Sequence, residues 1–163
     1  MLILIWAKWI LGGILFLACL MVAWLRVPPV PSRKQELDIA FDLAGIKPKE
    51  LVIDLGAGDG RVLQIARDKY LARIMGWEIN PPIWLLAKLR LGINTDVRMA
   101  DLWKADVSDA DVVVVFLMAN LMDRAERQIW AKMKPGARLV SNAFRMPNVV
   151  PTEEIEGVYL YIK

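Results

Sequence analysis

The sequence predicts an α/β domain. Its sheet is Rossmann-like and mostly parallel, with helices on both faces and an antiparallel last strand, and one N-terminal transmembrane helix precedes it. Three observations predict this. The first is Val52-Ile53-Asp54-Leu55-Gly56-Ala57-Gly58-Asp59-Gly60-Arg61, an apolar run that ends in a carboxylate and leads into three alternating glycines. The run reads as a buried parallel strand. The glycines permit a sharp turn at positive φ and close approach of a ligand. The helix that starts near Arg61 presents its N-terminus to that loop, a seat for a nucleotide-like ligand. The second observation is the alternation of short branched apolar runs with helical periodicity, the mark of successive βαβ units. The third is the stretch from Leu2 to Leu25, in which Lys8 is the only charged side chain.

Those 24 residues make about 36 Å of helix, enough to cross a hydrocarbon core of about 30 Å. A cleaved signal peptide fits less well, because Met1 to Ala7 carries no charge and no small-x-small site follows the apolar core. A lipoprotein signal at Cys19 is poorly matched by Phe16-Leu17-Ala18. Lys8 can snorkel to the headgroups, and Trp6, Trp9 and Trp24 sit where interfacial aromatics belong. Arg26, Arg33 and Lys34 follow the span, which puts the rest of the chain on the cytoplasmic or matrix-equivalent side. Residues 1–26 are thus expected to be an anchor, 27–50 a linker and N-terminal helix, and 51–163 the α/β domain.

Val27-Pro28-Pro29-Val30-Pro31 predicts a stiff, extended connector. Ser32 is a candidate N-cap with Gln35 as its capping-box partner. Leu37, Ala40, Phe41 and Ala44 give the next helix an apolar face, and Gly45 ends it. Strands are expected at 51–55, 73–78, 96–99, 111–117, 137–143 and 158–162. Helices are expected from Arg61 to about Tyr70, from Pro81 to Leu91, and along Leu121, Met122, Ala125, Ile129 and Met133. The segment between the last two strands shows no periodicity and is too short for a crossover helix, so the final strand should run antiparallel beside the fifth.

Composition excludes several chemistries. The apolar fraction is 56%, above the about 45–50% of ordinary domains, and the excess lies at the N-terminus. Setting aside Lys8 and Arg26 leaves 19 basic and 18 acidic residues, so charge gives no reason to expect a nucleic-acid partner. The single cysteine lies in the expected span and histidine is absent, which removes a disulfide framework, histidine acid–base catalysis and any Cys/His metal centre.

The glycine spacing narrows the ligand. Dinucleotide sites use Gly-x-Gly-x-x-Gly to seat a pyrophosphate. Here Gly56, Gly58 and Gly60 stand at every second residue, with Asp54 before them and Asp59 among them. Carboxylates there repel a diphosphate and suit a ligand bearing an ammonium group, such as the methionine part of S-adenosylmethionine. Asp59 is the candidate to reach that ammonium. Glu78, at the end of the second strand, is placed to accept from both ribose hydroxyls. Asp101 can accept from an adenine amino group while Leu102 or Trp103 covers the ring, or else Asp101 is a capping residue beside a core tryptophan. Asn120 is the polar side chain of the loop after strand four. It either orients an incoming amine, as the candidate catalytic residue, or caps the next helix. Phe144-Arg145-Met146-Pro147 is a candidate wall of the acceptor channel. Asn80-Pro81-Pro82-Ile83 is similar to the motif of amino-methylating DNA enzymes, but it follows strand two and lacks the aromatic, so the prolines are expected to start a helix.

With these residues in view, the soluble part resembles class I S-adenosylmethionine-dependent methyltransferases. More narrowly it resembles the small membrane-anchored lysine methyltransferases related to the mitochondrial enzymes acting on the ATP synthase c-subunit and the adenine nucleotide translocase. The blocks that carry the resemblance are the apolar N-terminal segment, Val30-Pro31-Ser32, residues 54–61, Gly76-Trp77-Glu78-Ile79-Asn80-Pro81, Ala100-Asp101-Leu102-Trp103, and Lys134-Pro135-Gly136-Ala137-Arg138-Leu139-Val140-Ser141. Ala119-Asn120 departs from the pattern, where a proline-containing turn is expected, and so does the very short C-terminus. The resemblance implies methyl transfer from S-adenosylmethionine to a lysine amine of a membrane-associated protein, with no metal. A lipid-like or other small amphiphilic acceptor, and a non-catalytic S-adenosylmethionine-binding module, are the rival expectations.

Overall fold

Seven strands, numbered β1 to β7 in chain order, form one sheet in the order β3-β2-β1-β4-β5-β7-β6, and the parallel pairing of β1 with β2 and β4 brings their carboxyl ends to one edge. In this computed structural model the backbone is described for residues 2–25 and 34–163; within the helices, the side chains of 2–5, 7, 18, 20–25 and 34 lie outside the description. The expected proline connector, the Ser32 cap and the charges of Arg26, Arg33 and Lys34 fall outside the described residues.

The chain divides into two units, Met1–Val30 and Pro31–Lys163. The first contains α1 (Leu2–Leu25), a single helix of 24 residues. Its described side chains, among them Trp9, Leu11 and Leu17, are exposed. Among the described residues no helix is long and apolar enough to cross a membrane, so the expected span over residues 1–26 is supported here only as a backbone helix.

The second unit is built as the alternation predicts. The parallel strands β1 (Leu51–Leu55), β2 (Arg73–Glu78), β3 (Val97–Met99), β4 (Val112–Val115) and β5 (Arg138–Asn142) are linked through α3 (Arg61–Tyr70), α4 (Pro81–Leu91) and α5 (Ala119–Gln128). β7 (Val158–Ile162) runs antiparallel to β5, as its short connection demands. Along β1 successive side chains alternate. Ile53 and Leu55 join Val113, Val115, Met122 and Ile129 on the α5 side. Val52 joins Leu37, Phe41, Val62, Val112 and Val114 beneath α2 (Lys34–Ala44) and α3. A smaller cluster of Ala57, Leu63, Ala87, Leu91 and Val97 packs α3 against α4.

The structure departs from these expectations at several strand bounds, at one helix end and in one unforeseen strand. β3 starts at Val97 and β4 covers Val112–Val115, both shorter than the apolar runs suggest. Asp111 lies outside β4, where its carboxylate accepts from Leu51 N and from Lys134 Nζ. The long helix expected to reach Met133 stops at Gln128 and continues as a 3-10 turn, Trp130–Lys132. That tighter turn buries both Ile129 and Met133 and sets Trp130 edge-on to Tyr161, ring centroids 6.1 Å apart. Finally, the segment without periodicity contains a strand, β6 (Glu153–Ile155). It pairs with β7, and all of its side chains are exposed.

Candidate functional site

The turn after β1 is anchored first by backbone bonds. Gly56 N and Ala57 N both donate to the carbonyl of Trp77 in β2, at 2.9 and 2.8 Å. Gly56, Gly58 and Gly60 have φ of 100°, 55° and 82°, where a side chain is strained. A Cβ on Gly56 would meet nothing within 4 Å, and one on Gly58 only a carbonyl oxygen at 3.9 Å, so the space above the loop is open. Gly60 has a different task. A Cβ there would lie 2.9 Å from Leu91 Cδ1, so its absence lets α3 close on α4.

Glu78 ends β2 at the same edge. One carboxylate oxygen accepts from Gly58 N at 3.0 Å and the other from Asn80 N at 2.8 Å. Glu78 therefore ties the glycine loop to the exit of β2 while staying half-buried. Asn80 is buried and accepts from Ile83 N as the N-cap of α4, with Pro81 and Pro82 in the first turn. The prolines start a helix, as expected.

The two aspartates of the loop have opposite surroundings. Asp54 is 4% exposed, and its Oδ2 has no hydrogen-bond partner among the described residues. Burial, and then the negative charges of Glu78 and Asp59, push its carboxyl up to about 7. Asp59 instead receives the guanidinium of Arg61 at 2.8 Å and that of Arg90 at 3.0 Å. The Arg61 hydrogen bond leads the effects that hold its carboxyl below the ordinary range. This revises the expected role of Asp59. Its charge is engaged by two arginines, and Asp54 is the carboxylate left facing an unmet demand for a cation or donor.

Asp101 caps the 3-10 turn Leu102–Lys104, its Oδ1 accepting from Trp103 N at 3.1 Å. Leu102 and Trp103 are half-buried against the α5-side core, and the guanidinium of Arg124 stacks 4.2 Å from the Trp103 ring centroid. Asn120 is exposed in the first turn of α5. The N-cap position belongs to Met118, which makes no side-chain cap bond, so the capping alternative for Asn120 does not hold. Of the expected channel wall, Phe144 is 41% exposed, Arg145 pairs with Glu154 over the Tyr159 ring, and Met146 is buried with its N–H on Tyr161 Oη. Phe144 and Pro147 keep exposed apolar surface.

Sequence reasoning passed over Gly76. A Cβ there would lie 2.7 Å from Leu63 Cδ1 and 3.0 Å from Ala57 Cβ. Its register partner on β1 is Asp54, so a bare strand position makes room for the loop beside that carboxylate. A lone glycine inside an apolar strand run was the available signal. Arg90 was also missed, because it reaches Asp59 from 31 residues away.

A sheet with this strand order, an acidic residue at the end of β1, an open glycine turn and a second carboxylate at the end of β2 matches known proteins in sequence as well. Residues 54–153, starting at the orphaned aspartate, fit the family model described as the ANTKMT methyltransferase domain. The chain belongs to that family. Among relatives of this methyltransferase family, the adenine nucleotide translocase lysine N-methyltransferase of Mus musculus is 35% identical over 132 residues, covering 78% of this chain and 57% of the relative. A protein-lysine N-methyltransferase of Saccharolobus islandicus is 29% identical over 151 residues, covering 84% of this chain and 94% of the relative. The chain thus spans little more than half of the mouse protein and nearly all of the archaeal one. A crystal structure of an RNA methyltransferase from Salinibacter ruber in complex with S-adenosyl-L-homocysteine superposes with a TM-score of 0.76 at 30% identity, covering 82% of this chain and 93% of that one. The resemblance to S-adenosylmethionine-dependent methyltransferases agrees with this membership.

Proposed function

We propose that this protein methylates a lysine side chain of a membrane-associated protein, using S-adenosylmethionine, and is held at the membrane by α1. The carrying observation is the buried carboxylate of Asp54, unpartnered beside an open glycine turn. A cationic ligand meets that demand and a diphosphate does not. The residues present fit the cofactor: Asp54 toward its ammonium, Gly56 and Gly58 beneath it, Glu78 toward the ribose, and Asp101 with Leu102 and Trp103 at the adenine. When bound, the cofactor supplies an electrophilic methyl group on a sulfonium. The protein's part is alignment. The glycine turn and Glu78 fix the donor side before the acceptor arrives. Asn120 offers an exposed amide at the carboxyl edge of β4, where its oxygen can accept from the incoming amine. A neutral amine is required, and burial in the crevice lowers a lysine pKa toward that state. The chain has no histidine, and none is needed if the proton leaves to water.

The lysine acceptor draws support from the mouse and archaeal relatives, which are named as lysine N-methyltransferases. The anchor draws support from a 24-residue helix whose described apolar side chains are solvent-exposed, which a water-soluble helix avoids. The basic residues after α1 favour the cytoplasmic or matrix-equivalent side for the domain. A lipid headgroup amine is the second acceptor class, favoured by the same exposed apolar helix. The test is incubation of the full chain with native membranes and radiolabelled S-adenosylmethionine. Label in one protein band, released as methyllysine on hydrolysis, supports the reading. Label in the lipid extract moves the assignment to the second class. Label in RNA, or none, overturns both.

A further inference from the structure

We propose that the outward side of α4 is a second membrane-contact surface, which rests in the interface of an anionic bilayer. α4 is apolar on two opposite sides. Ala87 and Leu91 face inward, packed with Ala57, Leu63 and Val97. Leu85, Leu86 and Leu89 face outward and are 47%, 55% and 71% exposed. Pro82, four residues before Leu86, extends that outer stripe at helical spacing, and Ile93, just past the helix end at Gly92, is exposed as well. Ile79, just before the helix, is exposed too. On the neighbouring edge strand β3, exposed Met99 projects to the same side as Val97, two residues earlier, which α4 covers. A surface helix that only closes a core carries polar residues on its outer side; this one carries leucines.

The charges select the occupant. On a helical projection Lys88 and Arg90 flank the leucine stripe, one on each side, and α4 contains no acidic residue. Lys88 Nζ bonds the carbonyl of Thr95, and Arg90 bonds Asp59, so both cations are held at the edges of the stripe. Of the carboxylates nearby, Asp59 is paired with Arg61 and Arg90 and Asp96 with Arg98, while Glu78, half-buried, accepts from Gly58 N and Asn80 N. An apolar stripe between cations complements anionic headgroups over acyl chains. Two copies of the same stripe face to face would instead bring like charges together. The choice of a bilayer rests on the membrane reading above. Ile79 follows Glu78 directly, so this contact would bring the cofactor-side edge of the crevice to the lipid surface.

The full chain, reconstituted in vesicles of phosphatidylcholine and phosphatidylglycerol with brominated chains, tests this with an environment-sensitive dye on single cysteines. Cys19 is the only native cysteine and reports α1. In a Cys19→Ser background, Leu86→Cys reports the outer side of α4, and Ala131→Cys, exposed beside α5, is the control. The expected result is a blue shift and roughly threefold stronger quenching at position 86 than at 131. Equal signals at 86 and 131 overturn the proposal, and quenching at Cys19 in the same vesicles would leave the anchor standing. Quenching at 86 without quenching at Cys19 keeps the α4 contact and removes the anchor. Excimer emission from pyrene at position 86 in detergent would assign the surface to a second copy and overturn the lipid reading.

Discussion

The two sides of the crevice are built by different means. On the β1–β2 side, main-chain donors are fastened to a carbonyl and to one carboxylate. Gly56 N and Ala57 N donate to Trp77 O, and Gly58 N and Asn80 N donate to Glu78, so the loop is set before any ligand arrives. On the β4–β5 side, Asn120 and Phe144 are exposed, and Ala143 holds a left-handed φ of 65° at the exit of β5. On the reading proposed above, the donor side is held in place by hydrogen bonds between β1 and β2, whereas the side offered to the acceptor carries exposed side chains. Substitutions on the first side should therefore strike binding and stability together, and substitutions on the second should strike turnover alone.

The strongest way to break that contrast is Gly76→Val. Its side chain would collide with Leu63 and Ala57. The expected outcome is no measurable S-adenosylmethionine binding by calorimetry and a stability loss of about 3 kcal/mol by thermal unfolding. Retained binding would show that the loop does not depend on the bare strand position.

Asp54 sharpens the contrast through pH. Its ordinary value is 3.8 and the folded value is about 7, so between these the folded state holds a proton that the unfolded chain has released. Unfolding free energy therefore falls as pH rises through that window, by about 2 kcal/mol from about pH 5 to about pH 7. A ligand ammonium favours the charged form, so cofactor affinity should rise over the same range. Asp54→Asn should flatten both profiles in melting and calorimetric titrations run across pH. A wild-type stability curve that climbs with pH would refute the assignment.

Glu78→Ala is expected to weaken cofactor binding by about 1.5 kcal/mol, roughly tenfold, because it removes an acceptor and frees two backbone donors. The smallest effect is expected from Asn120→Ala. Its dissociation constant for the cofactor should stay within about twofold, while turnover with a lysine acceptor drops roughly three- to tenfold. If Asn120→Ala and Glu78→Ala change the same parameter, the division between donor and acceptor sides is wrong.

Much of the donor side was legible in the chain. β1, α3, β2 and α4 lie where the apolar runs, glycines and prolines place them, because each depends on signals within a few residues. β6 was not legible. Glu153, Glu154 and Ile155 are all exposed, and the strand exists only through its pairing with β7. The shortening of α5 was equally hidden, since Trp130 turns to meet Tyr161 from the far end of the sequence. At the site, residue types were readable and partners were not. Asp59 looked available for a ligand until Arg90 was found beside it, and Asp101 proved also to be a turn cap.

By itself the sequence determined the order of the parallel strands and the helices between them, the glycine turn and the carboxylates at its two sides, since backbone propensity and hydrophobic period act locally. Tertiary structure alone decided which carboxylate is neutralised and which is left without a partner, and which leucines of α4 remain uncovered. Those outcomes depend on packing between segments far apart in the chain, and on the low dielectric that packing creates around a buried charge.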